Sequence, residues 1–305
     1  MKMFKALLLL ALTTVACTSE LGDSRNGTDE DSLGTATQAL GCAPDIHRVT
    51  LNTGVTLSYL EQGDRDGEPV IFLHGYSDSH HSFDLNLPLL PSRYHVYALD
   101  QRGHGDSSKP ACCYTQADFA GDVIAFMDKL GIHKASLVGH SMGSLIAHKV
   151  AVNAPNRIKK LVLVGSGPTL VGNPGALSFA PDVEALTDPV DPDFVYAFQS
   201  STFYRPIPSS YLDTAVSESL KLPATVWQQA LNGMLVEDHT SDLHRIKAKT
   251  LIVWGDQDVF FDAAAEQTLD TQIPHSKLVV YPQTGHGLHA EQPAKFVKDL
   301  KNFLD

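Results

Sequence analysis

The chain of 305 residues is poor in cysteine, and its cysteines are not spaced as metal ligands. It contains four of them, with no Cys-x-x-Cys pair, and no group of His and Cys residues has the spacing of a zinc site. The sequence therefore predicts no metal site.

Basic residues are scarce relative to acidic ones. The sequence has 23 Lys and Arg against 35 Asp and Glu, a formal net charge of −12. A nucleic-acid-binding protein needs a basic surface to neutralise phosphates, so this balance argues against nucleic acid as a partner. It says little about a small substrate, because net charge acts mainly on solubility and long-range attraction.

The chain also lacks a long apolar run. The run at residues 6–12 is too short to span a bilayer, but it follows a positively charged start, as in a secretory signal peptide. Small residues then lead to Cys17 and resemble the lipobox of bacterial lipoproteins, although Thr14 stands where leucine is usual. We predict a signal segment over residues 1–17, export, and anchoring in the bacterial cell envelope through a lipidated Cys17. Cleavage after Ala16, which would give a free secreted protein, is the alternative.

Residues 18–44 are poor in large apolar side chains and rich in Ser, Thr, Gly, Asp and Glu. Such a composition cannot bury enough surface to order the chain. We interpret this segment as a flexible tether before a globular domain over residues 45–305, with a functionless propeptide as the alternative.

An exported protein meets oxidising conditions, so a disulfide is expected. The expected bridge joins Cys42 to Cys112 or Cys113, since a bridge between the adjacent Cys112 and Cys113 would be strained.

What the chain does contain is a sharp strand-to-helix turn around one serine. Residues 139–143, Gly-His-Ser-Met-Gly, follow a short apolar strand pattern at 135–138 and precede a helical pattern at 144–151. The turn leaves no room for side chains two residues either side of Ser141, so glycine is needed there. This is the pattern of a nucleophile elbow, which exposes the serine hydroxyl at the carboxyl end of a sheet. The N–H groups that start the helix point to where an oxyanion would form.

A serine hydroxyl needs a base, and the base needs an acid to orient it. A predicted strand at 250–254 is followed by Asp256 and Asp258, and a predicted strand at 277–281 leads to His286. The chain order Ser, Asp, His is that of α/β-hydrolases. Upstream, a strand at 69–73 runs into His-Gly-Tyr at 74–76, a turn from which a second oxyanion N–H is expected.

From about residue 48 to its end, the sequence resembles the α/β-hydrolase fold superfamily. It is similar to the capped branch with esterases, lactonases, perhydrolases, epoxide hydrolases and haloalkane dehalogenases. The matching segments are 73–76 (LHGY), 98–107 (ALDQRGHGDS), 139–143, and 285–286 with Glu291 and Pro293.

The resemblance implies a role for each site residue. Ser141 would be the nucleophile, His286 the base and Asp258, three residues after the glycine that ends its strand, the acid. We expect Asp256, which follows that glycine directly, to bind backbone N–H groups of its own turn instead. The backbone N–H groups of Tyr76 and Met142 would form the oxyanion hole. Epoxide hydrolases and haloalkane dehalogenases carry aspartate in place of the serine, which argues against those two activities.

The pattern of elements predicts an α/β fold. An antiparallel hairpin over 48–59 precedes strands that alternate with helical stretches, which indicates a mostly parallel eight-stranded sheet with helices on both faces. The predicted strands are 48–51, 55–59, 70–73, 95–99, 135–138, 160–164, 250–254 and 277–281.

A proline-rich interval at about 168–247 breaks this alternation and predicts a helical cap inserted after the sixth strand. Its eight aromatic residues mostly pack the cap onto the core, with a minority lining an apolar pocket. They are Phe179, Phe194, Tyr196, Phe198, Phe203, Tyr204, Tyr211 and Trp227.

Several other polar residues receive structural interpretations. We expect His74 and His104 to be structural, and the side chain of His140 to point away from the nucleophile. Asp100 and Asp106 should fix the loop after the fourth strand, and Asp122 should be a solvated or capping charge.

The sequence therefore favours a cofactor-free hydrolase of a carboxylic ester, acting through an acyl-enzyme on a small substrate with an apolar group. Hydrolysis of a lactone, an amide or a carbon–carbon bond beside a ketone, or perhydrolysis, on the same triad is the first alternative. A non-catalytic ligand-binding protein that kept the pocket is the second.

Overall fold

The computed structural model describes residues 45–305, and these build the eight-stranded sheet that the sequence predicts. Each predicted strand is present, with bounds that differ by a few residues. The strands are β1 (Asp45–Thr50), β2 (Thr56–Gln62), β3 (Glu68–Leu73), β4 (Tyr94–Leu99), β5 (Ala135–His140), β6 (Ile158–Val164), β7 (Lys249–Gly255) and β8 (Ser276–Tyr281).

The sheet order is β1-β2-β4-β3-β5-β6-β7-β8. The pairs β1–β2 and β2–β4 are antiparallel, and all the other neighbouring pairs are parallel. The β1–β2 turn is closed by the Leu51 N–H, which donates to the carbonyl of Val55 at 2.8 Å, and Gly54 supplies its positive φ of 82°. The carboxyl ends of the parallel strands thus meet along one edge, where ligands of such sheets bind.

Helices cover both faces of the sheet because side chains alternate along each strand. On β3, Ile71 and Leu73 join the core beneath one set of helices, while Val70 and Phe72 join the core on the opposite face. The helices are α1 (Gln116–Lys129), α2 (Met142–Asn153), α3 (Pro174–Glu184), α4 (Pro192–Ser201), α5 (Ser209–Ser219), α6 (Ala224–Val236), α7 (Ala263–Gln272), α8 (Leu288–Glu291) and α9 (Pro293–Leu304). Short 3-10 helices lie at His80–Phe83, Leu87–Leu89, Pro155–Arg157 and Thr240–Arg245.

The insertion between β6 and β7 contains α3 to α6 and forms the cap. Some of its prolines start helices: Pro174 and Pro192 each follow a side chain that caps the helix, Asn173 and Asp191. An isolated bridge between Thr169 and Asp238 joins the two ends of the insertion.

Asp122 is not the solvated or capping charge that the sequence predicts. Its carboxylate is buried on α1 and accepts two hydrogen bonds from Arg102, at 2.6 and 2.7 Å, and one from the Thr53 hydroxyl at 2.6 Å. The apolar periodicity of the helix could not predict this pairing, because Arg102 lies on the loop after β4.

The expected disulfide is also wrong. Cys112 bonds to its neighbour Cys113, which adopts a positive φ of 78° in the loop before α1. This pairing leaves neither sulfur for Cys42, which lies outside the described residues, as do Cys17 and the predicted signal segment and tether. Within residues 45–305, no helix is long and apolar enough to cross a membrane.

Candidate active site

The serine predicted as nucleophile lies in a sharp turn between β5 and α2. Ser141 has φ 52° and ψ −119°, a backbone conformation that a non-glycine residue adopts only where its surroundings impose it. Its N–H donates to the carbonyl of Val164 at 2.9 Å, which fixes the turn to β6. A Cβ on Gly139 would collide with the carbonyl of Gly143, and one on Gly143 with the carbonyl of Leu73. The predicted need for both glycines is confirmed.

Asp258 and His286 form a buried pair beyond the ends of β7 and β8. The Nδ1 atom of His286 lies 2.8 Å from Oδ2 of Asp258. The side chain of Asp258 is fully buried and that of His286 is 3% exposed. Since a carboxylate only accepts, Nδ1 carries the proton and Nε2 keeps its lone pair. The imidazole is thus held in the tautomer that a general base requires.

The orientation of Asp258 is set by its own loop. Its Oδ1 atom accepts hydrogen bonds from the N–H groups of Phe260, at 2.8 Å, and Phe261, at 3.1 Å. This arrangement leaves Oδ2 free to face the imidazole.

The competing carboxylate behaves differently from the sequence expectation. We expected Asp256 to bind N–H groups of its own turn, but its side chain is exposed and accepts only from Nε2 of Gln257, at 3.1 Å. The turn N–H groups go to Asp258 instead, because its side chain, not that of Asp256, points back into the loop.

Ser141 and His286 line one cavity, together with Gly75 and Tyr76 of the loop after β3. The cavity encloses about 660 Å³ of empty space, part of it open to solvent. Asp258 stands behind His286 and is not part of the cavity wall.

The two backbone N–H groups predicted as oxyanion donors belong to Met142 and Tyr76. Met142 is the first residue of α2 and Tyr76 lies in the turn after β3. Across residues 45–305, neither N–H donates to another backbone carbonyl. The first N–H groups of a helix have no partner within it, so that of Met142 is available to a ligand.

The Tyr76 side chain contacts the cap. Its hydroxyl donates to the carbonyl of Trp227 on α6 at 2.7 Å, and its ring packs edge-on against the rings of Trp227 and Phe198. Burial raises the pKa of Tyr76 well above its usual value, so the phenol stays neutral.

Much of the cavity wall is apolar. Of the eight cap aromatics named from the sequence, half rather than a minority line it: Phe179, Phe198, Phe203 and Tyr211. Trp227 is buried in the core, whereas Tyr196 and Tyr204 are exposed. Phe260, from the loop that carries Asp258, adds a ring 4.8 Å from that of His286.

One corner of the cavity is polar, and sequence reasoning missed it. Asp78, Ser82, Gln199 and His289 line this corner. Asp78 follows Tyr76 by two residues, so its place in the predicted oxyanion loop could have indicated that it lies near the site. Gln199 comes from α4 of the cap, and no local pattern could have pointed to it.

His140, the residue before the nucleophile, is buried and is among the residues that line the cavity. Its Nε2 atom donates to the carbonyl of His286 at 3.2 Å, and its ring lies 4.3 Å from that of His289. Burial lowers the pKa of His140 well below its usual value and that of His289 to about 3. Both rings are therefore neutral near pH 7. Within residues 45–305, no cluster of His, Cys, Asp or Glu could hold a metal ion.

The motif residues around β3 and β4 are structural, as predicted for His74 and His104. Nε2 of His74 accepts from the N–H of Gln101 at 3.0 Å, and Nδ1 of His104 donates to the carbonyl of Arg102 at 2.7 Å. Asp100 fixes its loop by accepting from the N–H of Asp106 at 3.0 Å. Asp106 instead pairs with Lys221 of the cap at 2.9 Å.

Residues 68–293, well over half of the chain, match the family model described as "alpha/beta hydrolase fold". The protein belongs to the alpha/beta hydrolase family. The eight-stranded sheet with surrounding helices is the fold of these hydrolases.

Two relatives illustrate the range of this hydrolase family. The bifunctional esterase/perhydrolase DCH of Acinetobacter calcoaceticus is 28% identical over 281 residues, which cover 84% of this chain and 98% of the relative. The 2-hydroxy-6-oxononadienedioate/2-hydroxy-6-oxononatrienedioate hydrolase 2 of Pseudomonas putida is 30% identical over 264 residues, covering 81% and 91%.

Among solved structures, an esterase from Exiguobacterium antarcticum superposes with a TM-score of 0.77. It is 24% identical, and the match covers 84% of this chain and 98% of that one. At this identity the likeness supports the hydrolase fold and not the substrate.

Proposed function

We propose that the protein is a serine hydrolase that cleaves a carboxylic ester through an acyl-enzyme on Ser141. The observation that carries this proposal is the buried Asp258–His286 pair: in the neutral imidazole, the contact through Nδ1 leaves the lone pair on Nε2, and His286 lines the same cavity as Ser141. A base in that tautomer beside an elbow serine suits acyl transfer.

In the proposed mechanism, Nε2 of His286 takes the hydroxyl proton as Ser141 Oγ attacks the ester carbonyl carbon. The N–H groups of Tyr76 and Met142 stabilise the resulting oxyanion. The intermediate collapses when the ester C–O bond breaks and His286 returns the proton to the leaving alcohol. Water, deprotonated by His286, then attacks the acyl-enzyme, releases the acid and restores Ser141. Asp258 stays ionised and stabilises the imidazolium.

The wall of the cavity favours some substrates over others. Among the described residues, no Lys or Arg lines the cavity, and its one carboxylate is that of Asp78. A dioate, such as the compound in the name of the Pseudomonas relative, would bring carboxylates without a cationic partner. We therefore favour an ester with an apolar group over an anionic carbon–carbon cleavage substrate. Perhydrolysis on the same triad is the second candidate, supported by the esterase/perhydrolase relative.

Active-site labelling tests this proposal. A serine-directed phosphonate should label wild-type protein at Ser141, and Ser141→Ala should hydrolyse nitrophenyl esters at least about 10³-fold more slowly while keeping its melting temperature. Ser178→Ala, an exposed serine on α3, is the matched control and should keep full activity. Near-wild-type hydrolysis by Ser141→Ala would overturn the assignment. A stoichiometric burst without turnover would instead support the ligand-binding alternative.

We also propose that the protein is exported and anchored through a lipidated Cys17, on the sequence pattern given above. Cells that express the full chain should carry the protein in an envelope fraction, and Cys17→Ser should release it or block its maturation. A soluble cytoplasmic protein that begins with an intact Met1 would refute export.

A further inference from the structure

The polar corner of the cavity holds a carboxylate that the proposed acyl transfer does not use. Asp78 lines the same cavity as Ser141 and His286. A Cβ on Gly75 would lie 3.2 Å from Oδ2 of Asp78, so the carboxylate lies against the loop that supplies the Tyr76 N–H. Asp78 is therefore close to the place where the oxyanion would form.

The orientation of Asp78 is fixed from two sides. Nε2 of Gln199, on α4 of the cap, donates to Oδ1 at 3.0 Å, and the Ser82 hydroxyl donates to Oδ2 at 3.3 Å. Gln199 is itself held by the hydroxyl of Ser219 on α5, at 2.8 Å. A carboxylate has about four acceptor positions, so acceptor capacity is left for a ligand.

In the part of the chain that the structure describes, no Lys or Arg on the cavity wall offsets the charge of this carboxylate, and the one charged group of the wall that lowers its pKa is the side chain of His286 when protonated. The neighbouring His140 and His289 are neutral near pH 7. Burial accordingly raises the pKa of Asp78 to about 6. An ionised Asp78 would oppose a developing oxyanion unless a ligand group neutralised it.

We infer that Asp78 is a specificity-determining residue that accepts a hydrogen bond from a protonated amine on the substrate, which selects amine-bearing esters over anionic ones. This inference rests on the proposed ester hydrolysis. A protonated amine offers both the donor and the positive charge that the corner lacks, and an ion-assisted hydrogen bond is stronger than a neutral one.

Matched pairs of esters test the inference. On the alcohol side, 2-(dimethylamino)ethyl butanoate is compared with its carbon isostere, 3-methylbutyl butanoate. On the acyl side, ethyl 4-(dimethylamino)butanoate is compared with ethyl 5-methylhexanoate. The measured quantity is the ratio of kcat/KM for the amine to that for its isostere, at a pH near 7 where the amine is protonated.

The wild type should prefer the amine in at least one pair, and Asp78→Asn should lower that ratio about 10- to 100-fold, the range for a hydrogen bond to a charged group. Asp78→Asn should change hydrolysis of the carbon isostere less than that of the amine, since the isostere donates no hydrogen bond to the carboxylate. Asp182→Asn, an exposed carboxylate on the cap, is the matched control and should leave both ratios unchanged.

The outcomes separate the two proposals. A wild type that hydrolyses esters but prefers the isostere in both pairs overturns the inference alone. A ratio that Asp78→Asn leaves unchanged does the same. A wild type that hydrolyses no ester of either pair overturns the proposed function, and the inference with it. Labelling of the Asp78→Asn variant by the phosphonate shows whether its active site is still assembled. If the variant is not labelled, the preference of the wild type for amine or isostere decides the inference.

Discussion

The choice between Asp256 and Asp258 as the acid of the triad leads to a clear prediction. In Asp258→Asn, the amide oxygen can still accept from the N–H groups of Phe260 and Phe261, so the loop should keep its shape. The amide NH₂ would then face Nδ1 of His286. Because the NH₂ group donates, it favours the imidazole tautomer that carries its proton on Nε2. That atom then has no lone pair with which to accept the proton of Ser141.

The size of the effect follows from this change of tautomer. Loss of the correct tautomer in a Ser-His-Asp triad lowers kcat on the order of 10⁴-fold, which corresponds to about 5 kcal/mol of activation free energy. Asp256→Asn changes an exposed side chain whose one protein contact is Nε2 of Gln257. Such a change should alter stability by no more than about 0.5 kcal/mol and leave kcat unchanged.

Stopped-flow acylation with a nitrophenyl ester, together with melting temperature, measures both effects. The two variants remove the same charge two residues apart, so each serves as the other's control for overall electrostatics. Loss of acylation in Asp256→Asn with a normal rate in Asp258→Asn would refute the assignment of the acid.

Three further predictions concern stability and the elbow. Because the pKa of Asp78 is raised to about 6 in the folded protein, its contribution to stability is present below its unfolded value and lost as pH rises through about 6; Asp78→Asn should therefore melt higher than wild type above pH 7 and no higher near pH 4, and equal melting curves would contradict this. Asp122→Ala leaves the Arg102 guanidinium buried without its partner and should cost about 3–5 kcal/mol in chemical unfolding, whereas the double variant Arg102→Met/Asp122→Leu should lose less. Gly143→Ala should abolish ester hydrolysis, because the new Cβ would meet the carbonyl of Leu73. Gly121→Ala, with open space around the new Cβ, should keep activity and raise the free energy of unfolding by up to about 1 kcal/mol.

The sequence was sufficient for those parts of the molecule that depend on local chemistry. The apolar strand runs predict the sheet, and the glycines around Ser141 predict the elbow, because both depend on neighbours in the chain. The order of Ser141, Asp258 and His286 came from resemblance. The hydrogen bond between Asp258 and His286 is geometry that the structure adds.

Several of the errors concern residues whose partners lie elsewhere in the sequence. Asp122 was interpreted as a solvated or capping charge because its partner Arg102 lies outside α1, on the loop after β4. The expected bridge to Cys42 rested on ordinary disulfide geometry, which the Cys112–Cys113 pair does not follow. Gln199 could not be found because the cap packs it against Asp78 across 121 positions of sequence.

The hydrogen bond from the Tyr76 hydroxyl to the Trp227 carbonyl couples two movements that could otherwise be independent. Any outward shift of α6 that widens the cavity must either break this bond or pull Tyr76 along with the helix. In the second case the Tyr76 N–H also leaves its place, and the proposed oxyanion site loses one of its two donors while the cap is open. The enzyme would then be competent only when closed, so the frequency of cap closure would set an upper limit on turnover.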